Sequence, residues 1–237
     1  MARPQRIARL LSWSIHLFTA SGAVLGLFAL VSTAQERLDR AALLILAAFL
    51  IDAVDGTFAR AAKVTEHLPF FDGRRLDDTV DFLNYTIVPA FFMWGAGILA
   101  HPLWLVAPIL ASAYGFSRID AKTEDDFFLG FPSYWNIVAL YLWLLEIGPV
   151  ASTGWIAALS IAVFVPVKYL YPSKVEPLSL RRALAIGGLA WLLALVACIV
   201  WPQMARDLLL PELSLGYPVW YLWLSFSRGG LARDVEL

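Results

Sequence analysis

Residues 52–81 read DAVDGTFARAAKVTEHLPFFDGRRLDDTVD. Seven of the chain's 19 acidic side chains fall within this stretch, although the chain as a whole is strongly apolar. Apolar residues dominate on both sides. "AALLILAAFLI" leads into Asp52, and "FLNYTIVPAFFMWGAGILA" follows Asp81. Two segments long enough to cross a hydrocarbon core of about 30 Å therefore meet at a cluster of carboxylates.

The rest of the chain repeats that apolar pattern. Its 237 residues are 60% hydrophobic and 16% charged, with a mean hydropathy of +0.69. This composition predicts an all-α, polytopic helical membrane protein with a single domain spanning residues 1–237. Eight candidate spans fall at 10–31, 41–60, 77–99, 102–115, 134–147, 154–170, 182–201 and 214–226. Pro89 is expected to kink the third. Trp104, Trp155, Trp201 and Trp220 fall near span ends, where interfacial tryptophans belong. The N-terminal arginines followed by "LLSWSIHLFTASGAVLGLFAL" have too long an apolar part for a cleaved leader, so the reading is a first transmembrane helix.

Orientation follows from the basic residues. With eight spans, one side collects Arg3, Arg6, Arg9, Arg60, Lys63, Arg74, Arg75, Arg118, Lys122, Lys168, Lys174, Arg181, Arg182, Arg228 and Arg233. The other side receives only Arg37, Arg40 and Arg206. The positive-inside rule then puts both termini and the 52–81 stretch on the cytoplasmic side. The net charge of −1 gives no reason to expect a nucleic-acid partner. The single cysteine, Cys198, reads as a packed core thiol.

The acidic residues are spaced to act together. Asp52 and Asp55 are i,i+3, and Asp77 and Asp81 are i,i+4, so each pair shares a helix face. Asp78 points about 100° away from Asp77 at 3.6 residues per turn. A lone Asp at a helix centre costs roughly 2.5–3.5 kcal/mol on insertion scales, and converging carboxylates also repel one another. A divalent cation, Mg²⁺ or Mn²⁺, offsets both costs. Pairing with Arg60, Arg74 or Arg75 is the plainer alternative for one or two of the four. Gly56 and Gly73 allow a ligand or a backbone to come close. Gly22 and Gly26 form a G-x3-G, a pattern of close helix packing that also admits a homodimer.

Taken together, Asp52, Asp55, Gly56, Ala59 and Arg60, followed by Gly73, Asp77 and Asp81, resemble the signature of the CDP-alcohol phosphotransferases, D-x2-D-G-x2-A-R then G-x3-D-x3-D. The 12 residues between Arg60 and Gly73 exceed the usual spacer of that family. The longer spacer, "LDDTVDFLNYTIVPAFF" and "DDFFLGFPSYWN" look like the branch that makes phosphatidylcholine in bacteria. The resemblance implies transfer of a phosphatidyl group from CDP-diacylglycerol to choline, with CMP released. It implies metal ligation by Asp52, Asp55 and Asp77. It implies a cytidine diphosphate site at Asp52, Gly56, Ala59, Arg60 and Gly73. Asp81 would be a further metal ligand and the general base, since a choline hydroxyl needs help to lose its proton.

Choline itself calls for aromatic faces near a carboxylate. Tyr85, one turn beyond Asp81, is the first candidate, with Tyr114, Tyr134 and Trp135 as further ones. Residues 118–136 read as a charged loop or a lid. Two other readings stay open. One is a related transferase using serine, glycerol phosphate or inositol phosphate. The other is a cation transporter with an intramembrane acidic site.

Overall fold

A computed structural model describes residues 3–123 and 125–231; Glu124 and Arg233 lie outside the described residues. The chain is overwhelmingly helical. Helix α1 (Arg3–Ala34) turns at once into α2 (Leu38–Ala61), and the two pack along their length. A one-turn helix, α3 (Val64–His67), leads to α4 (Gly73–Phe82), which runs through a π turn at Leu83–Ile87 into α5 (Val88–Gly95). A 3-10 turn at Pro102–Leu105 opens α6 (Val106–Ser117). Then come α7 (Trp135–Leu144), α8 (Pro149–Ala162), α9 (Leu178–Val200), α10 (Pro202–Asp207), α11 (Leu210–Ser214) and α12 (Gly216–Arg228).

Local chemistry explains the ends that matter. The Ala- and Leu-rich run of α2 favours helix throughout, and Arg60 in its last turn complements the helix dipole. The carboxylate of Asp72 accepts the backbone N–H of Arg75 at 3.1 Å, capping α4. That assigns Asp72 a structural task, and Glu66 pairs with Lys63 at 3.3 Å.

Among the described residues, three helices are long and apolar enough to cross a membrane: Gln5–Ala34, Leu38–Ala61 and Leu178–Val200. Leu10, Leu17, Ile186 and Leu193 stand at least 60% exposed along two of them. Large apolar side chains left outward over whole helices fit a lipid environment. Inside, Phe92, Trp135, Leu140, Ile156 and Leu195 are fully buried. This is an integral membrane protein.

A helix lies at each of the eight expected segments, with four corrections. The sixth segment stops being helical at Ala162, and Lys168–Leu170 instead forms strand β2. Strand β2 pairs antiparallel with β1 (Phe127–Leu129), Phe128 facing Tyr169, so the fold is mostly helical but not all-α. The fifth segment ends at Leu144, short of residue 147. Pro89 does not act alone. It cannot donate to the Tyr85 carbonyl, and the π turn just before it lets the Val88 N–H reach Leu83 instead. Finally, Trp220 packs half-buried against Tyr217 at 6.0 Å, whereas Trp155 and Trp201 are exposed.

Candidate active site

Helices α2 and α4 bring the signature carboxylates to one place. Asp52, Asp55 and Asp77 each present an oxygen within 4.8 Å of the others. Oxygens on opposite sides of an octahedral Mg²⁺ stand about 4.2 Å apart. Three hard donors at this spacing, with no lysine or arginine ion-paired to them among the described residues, fit one divalent ion. Asp81, one turn beyond Asp77, lies against Asp52 and Asp77 but is not one of the three converging ligands. Asp78 turns aside and meets Arg74 at 4.0 Å.

The surroundings hold this group in position. Thr19, buried on α1, is the side-chain neighbour of Asp55. The Tyr85 hydroxyl donates to Asp52 Oδ2. Tyr85 sits within the π turn, a local geometry that often accompanies functional positions. Its ring lies 6.0 Å from that of Tyr134, which in turn lies 6.4 Å from Tyr221. An aromatic wall therefore begins at Asp52 and runs through Tyr85 and Tyr134 to the last helix.

The remaining expected residues separate. Gly56 borders open space, with only the Arg60 guanidinium near the position a side chain would take. Arg60 is exposed and donates to the Thr57 hydroxyl at 3.1 Å. Ala59 is half-buried on the same turn. Gly73 has a packing role as well, because a Cβ there would meet His16 Cε1 at 2.6 Å. Trp135 does not join the tyrosines. It is fully buried, packs on Phe131 at 5.2 Å and donates its indole N–H to Ser112 Oγ. Tyr114 also stands apart, exposed beside Phe164, with the Arg118 guanidinium 5.6 Å over its ring.

The 118–134 segment is a tethered strap. Lys168 pairs with Asp125 and Lys174 with Asp126, each at 2.7 Å. The Lys168 hydrogen bond holds the Asp125 carboxyl below the ordinary carboxylate range. Hydrogen bonds from the Arg118 guanidinium do the same to Asp120. Lys122 is the strap's contribution to the site, since its charge acts on both Asp77 and Asp81. Its ammonium also rests about 6 Å from the rings of Phe128 and Tyr171. Tyr221 and Tyr171 had no signal in the sequence, as they lie far along the chain in ordinary apolar and loop contexts.

Comparison with known proteins bears on the same residues. The chain is 40% identical over 228 residues to a phosphatidylcholine synthase of Legionella pneumophila, covering 92% of this chain and 88% of that one. It is 35% identical over 229 residues to one of Bradyrhizobium diazoefficiens, covering 95% and 83%. A phosphatidylcholine synthase of Borreliella burgdorferi is 35% identical over 177 residues, covering 73% and 76%. The profile of the CDP-alcohol phosphatidyltransferases matches residues 15–166, a region that holds all four aspartates and the strap. The chain belongs to the CDP-alcohol phosphatidyltransferase family.

Proposed function

We propose that this chain is a phosphatidylcholine synthase, transferring the phosphatidyl group of CDP-diacylglycerol to choline. The observation that carries the reading is the convergence of Asp52, Asp55 and Asp77 beside an aromatic wall. A divalent ion held by these three would neutralise the diphosphate and the departing CMP. Gly56, Ala59, Arg60 and Gly73 line the nucleotide side, where Gly56 leaves room for close approach. Asp81 accepts the choline hydroxyl proton. The choline oxygen then bonds to the phosphatidyl phosphorus as the bond from that phosphorus to the CMP oxygen breaks. Tyr85 and Tyr134 face the quaternary ammonium, which offers no hydrogen-bond donor and is held by ring faces and nearby carboxylates.

The same reading sets eight crossings with both termini and the aspartate site on the cytoplasmic side of a bacterial inner membrane. Water-borne choline then reaches a lipid phosphate at the membrane rim. Serine is the nearest competing acceptor, and its carboxylate needs a free cation. Arg118 is already held by Asp120, with 2.8 Å from Nε to Oδ1, which leaves Lys122 as the cation a serine carboxylate would have to reach. The test is CMP release from CDP-diacylglycerol with choline, serine, glycerol phosphate or inositol phosphate, each with Mg²⁺, Mn²⁺ and chelator. Choline-dependent, metal-dependent release supports the reading. Release that follows another acceptor overturns it, and cation flux without CMP would indicate a transporter.

A further inference from the structure

A cavity of about 490 Å³ lies away from the aspartates, where α2 begins and where α7 and α9 end. Asp39, on its wall, precedes Asp52 by 13 residues of continuous helix. At 1.5 Å per residue this places it about 20 Å from the signature site, at the opposite end of the bundle. The two sites share no residue.

The lining is amphipathic in an ordered way. Ile199 and Cys198 are buried on its apolar floor, and Trp143 forms a side. Charge of both signs sits at the mouth: Arg206 pairs with Glu146 at 2.8 Å, and Asp39 lies on the same wall. The side chains of that pair are 64% and 66% exposed, so it opens easily. Volume and lining fall in the range of small-ligand sites.

We propose that this cavity binds the headgroup of a zwitterionic phospholipid, with its phosphate on Arg206 and its ammonium on Glu146 and Asp39. Each half of the exposed ion pair exchanges its partner for the opposite pole of the ligand. Trp143 offers an aromatic face to the ammonium. The glycerol and first methylenes rest on the apolar floor, and the tails continue into the bilayer. An anionic lipid leaves the acidic groups facing a negative headgroup and fits less well. This site is independent of the acceptor assigned above.

Cys198 makes the proposal testable, because it is the only cysteine in the chain and lines the cavity. The full-length protein in a maltoside detergent is labelled with a small maleimide. Dihexanoyl phosphatidylcholine, phosphatidylethanolamine or phosphatidylglycerol is added below its micellar concentration. Both zwitterionic lipids should slow labelling about fivefold at about four times their dissociation constant. Phosphatidylglycerol should not. The charge-neutral double variant E146Q/R206Q should lose the protection while keeping choline-dependent turnover. Equal protection by all three lipids, or full protection in the double variant, overturns the proposal. If the thiol does not react at all, native mass spectrometry decides. Wild type should retain one more zwitterionic lipid than the double variant, and equal retention overturns the proposal.

Discussion

Tyr85 and Asp81 share one helical face, yet the chemistry asks different things of them. Asp81 is the proposed base, so Asp81→Asn should lower kcat by about 10²–10⁴-fold while CDP-diacylglycerol still binds. Wild-type-like turnover in that variant removes Asp81 from the proton path. Tyr85 acts on Asp52 through its hydroxyl. Hydrogen bonds to charged groups contribute about 1.5–3 kcal/mol. Tyr85→Phe keeps the ring and should cost roughly ten- to hundredfold in kcat/KM. An unchanged value in steady-state assays would mean that only the ring matters. The four aspartates were legible because their spacing on two helices is a local property. The Tyr134–Tyr221 contact was not legible, because it joins residues 87 positions apart through tertiary packing. Trp135 shows the converse: beside Tyr134 in sequence, it points into the core.

Among the elements, α1 serves as the wall against which the catalytic helices are set. A Cβ at Gly26 would come within 2.3 Å of Asn84 Oδ1 and 3.2 Å of Val88. The G-x3-G of Gly22 and Gly26 is thus used inside the chain, holding α1 close to α4 and the π turn. Gly26→Leu should destabilise by about 1–3 kcal/mol through overpacking and lower the thermal midpoint in detergent. Gly154, with no atom within 4 Å of its Cβ position, is the control. Gly154→Ala should leave the midpoint level or raise it. The strap supplies a pH test. Asp125 has a depressed carboxyl, so its contribution is present above the unfolded value and fades as pH falls through the folded one. Protease nicking of residues 118–126 should therefore stay flat from neutrality down to about pH 5 and rise only below about pH 4. A rise beginning near pH 6 would point to another group. Strands β1 and β2 escaped the sequence reading for a physical reason. Each has three residues, and an apolar run continued past Ala162 looks the same whether it coils or extends.

At the scale of the whole molecule, the two sites lie at opposite ends of α2. Asp120 lies by the aspartate end, and Glu146 lies by the lipid cavity. Single cysteines placed at these two positions in a Cys198→Ala background should label from opposite faces of the membrane. Asp120→Cys should react only after the inner face is exposed, and Glu146→Cys in intact spheroplasts. Labelling of both from one face would overturn the eight-crossing topology.

Helix α12 also sets when the enzyme comes into being. The Tyr221 hydroxyl donates to the Leu170 carbonyl, Lys168 N–H reaches Gly230, and the Arg228 guanidinium reaches Glu176. Tyr221 ends the aromatic wall that begins at Asp52. During synthesis, α1 and α2 enter the bilayer first, carrying two of the carboxylates, but the wall beside them stays open until α12 leaves the ribosome. A nascent chain stalled before residue 221 would hold its acidic cluster in the membrane without the completed pocket. Activity should appear only once α12 is in place.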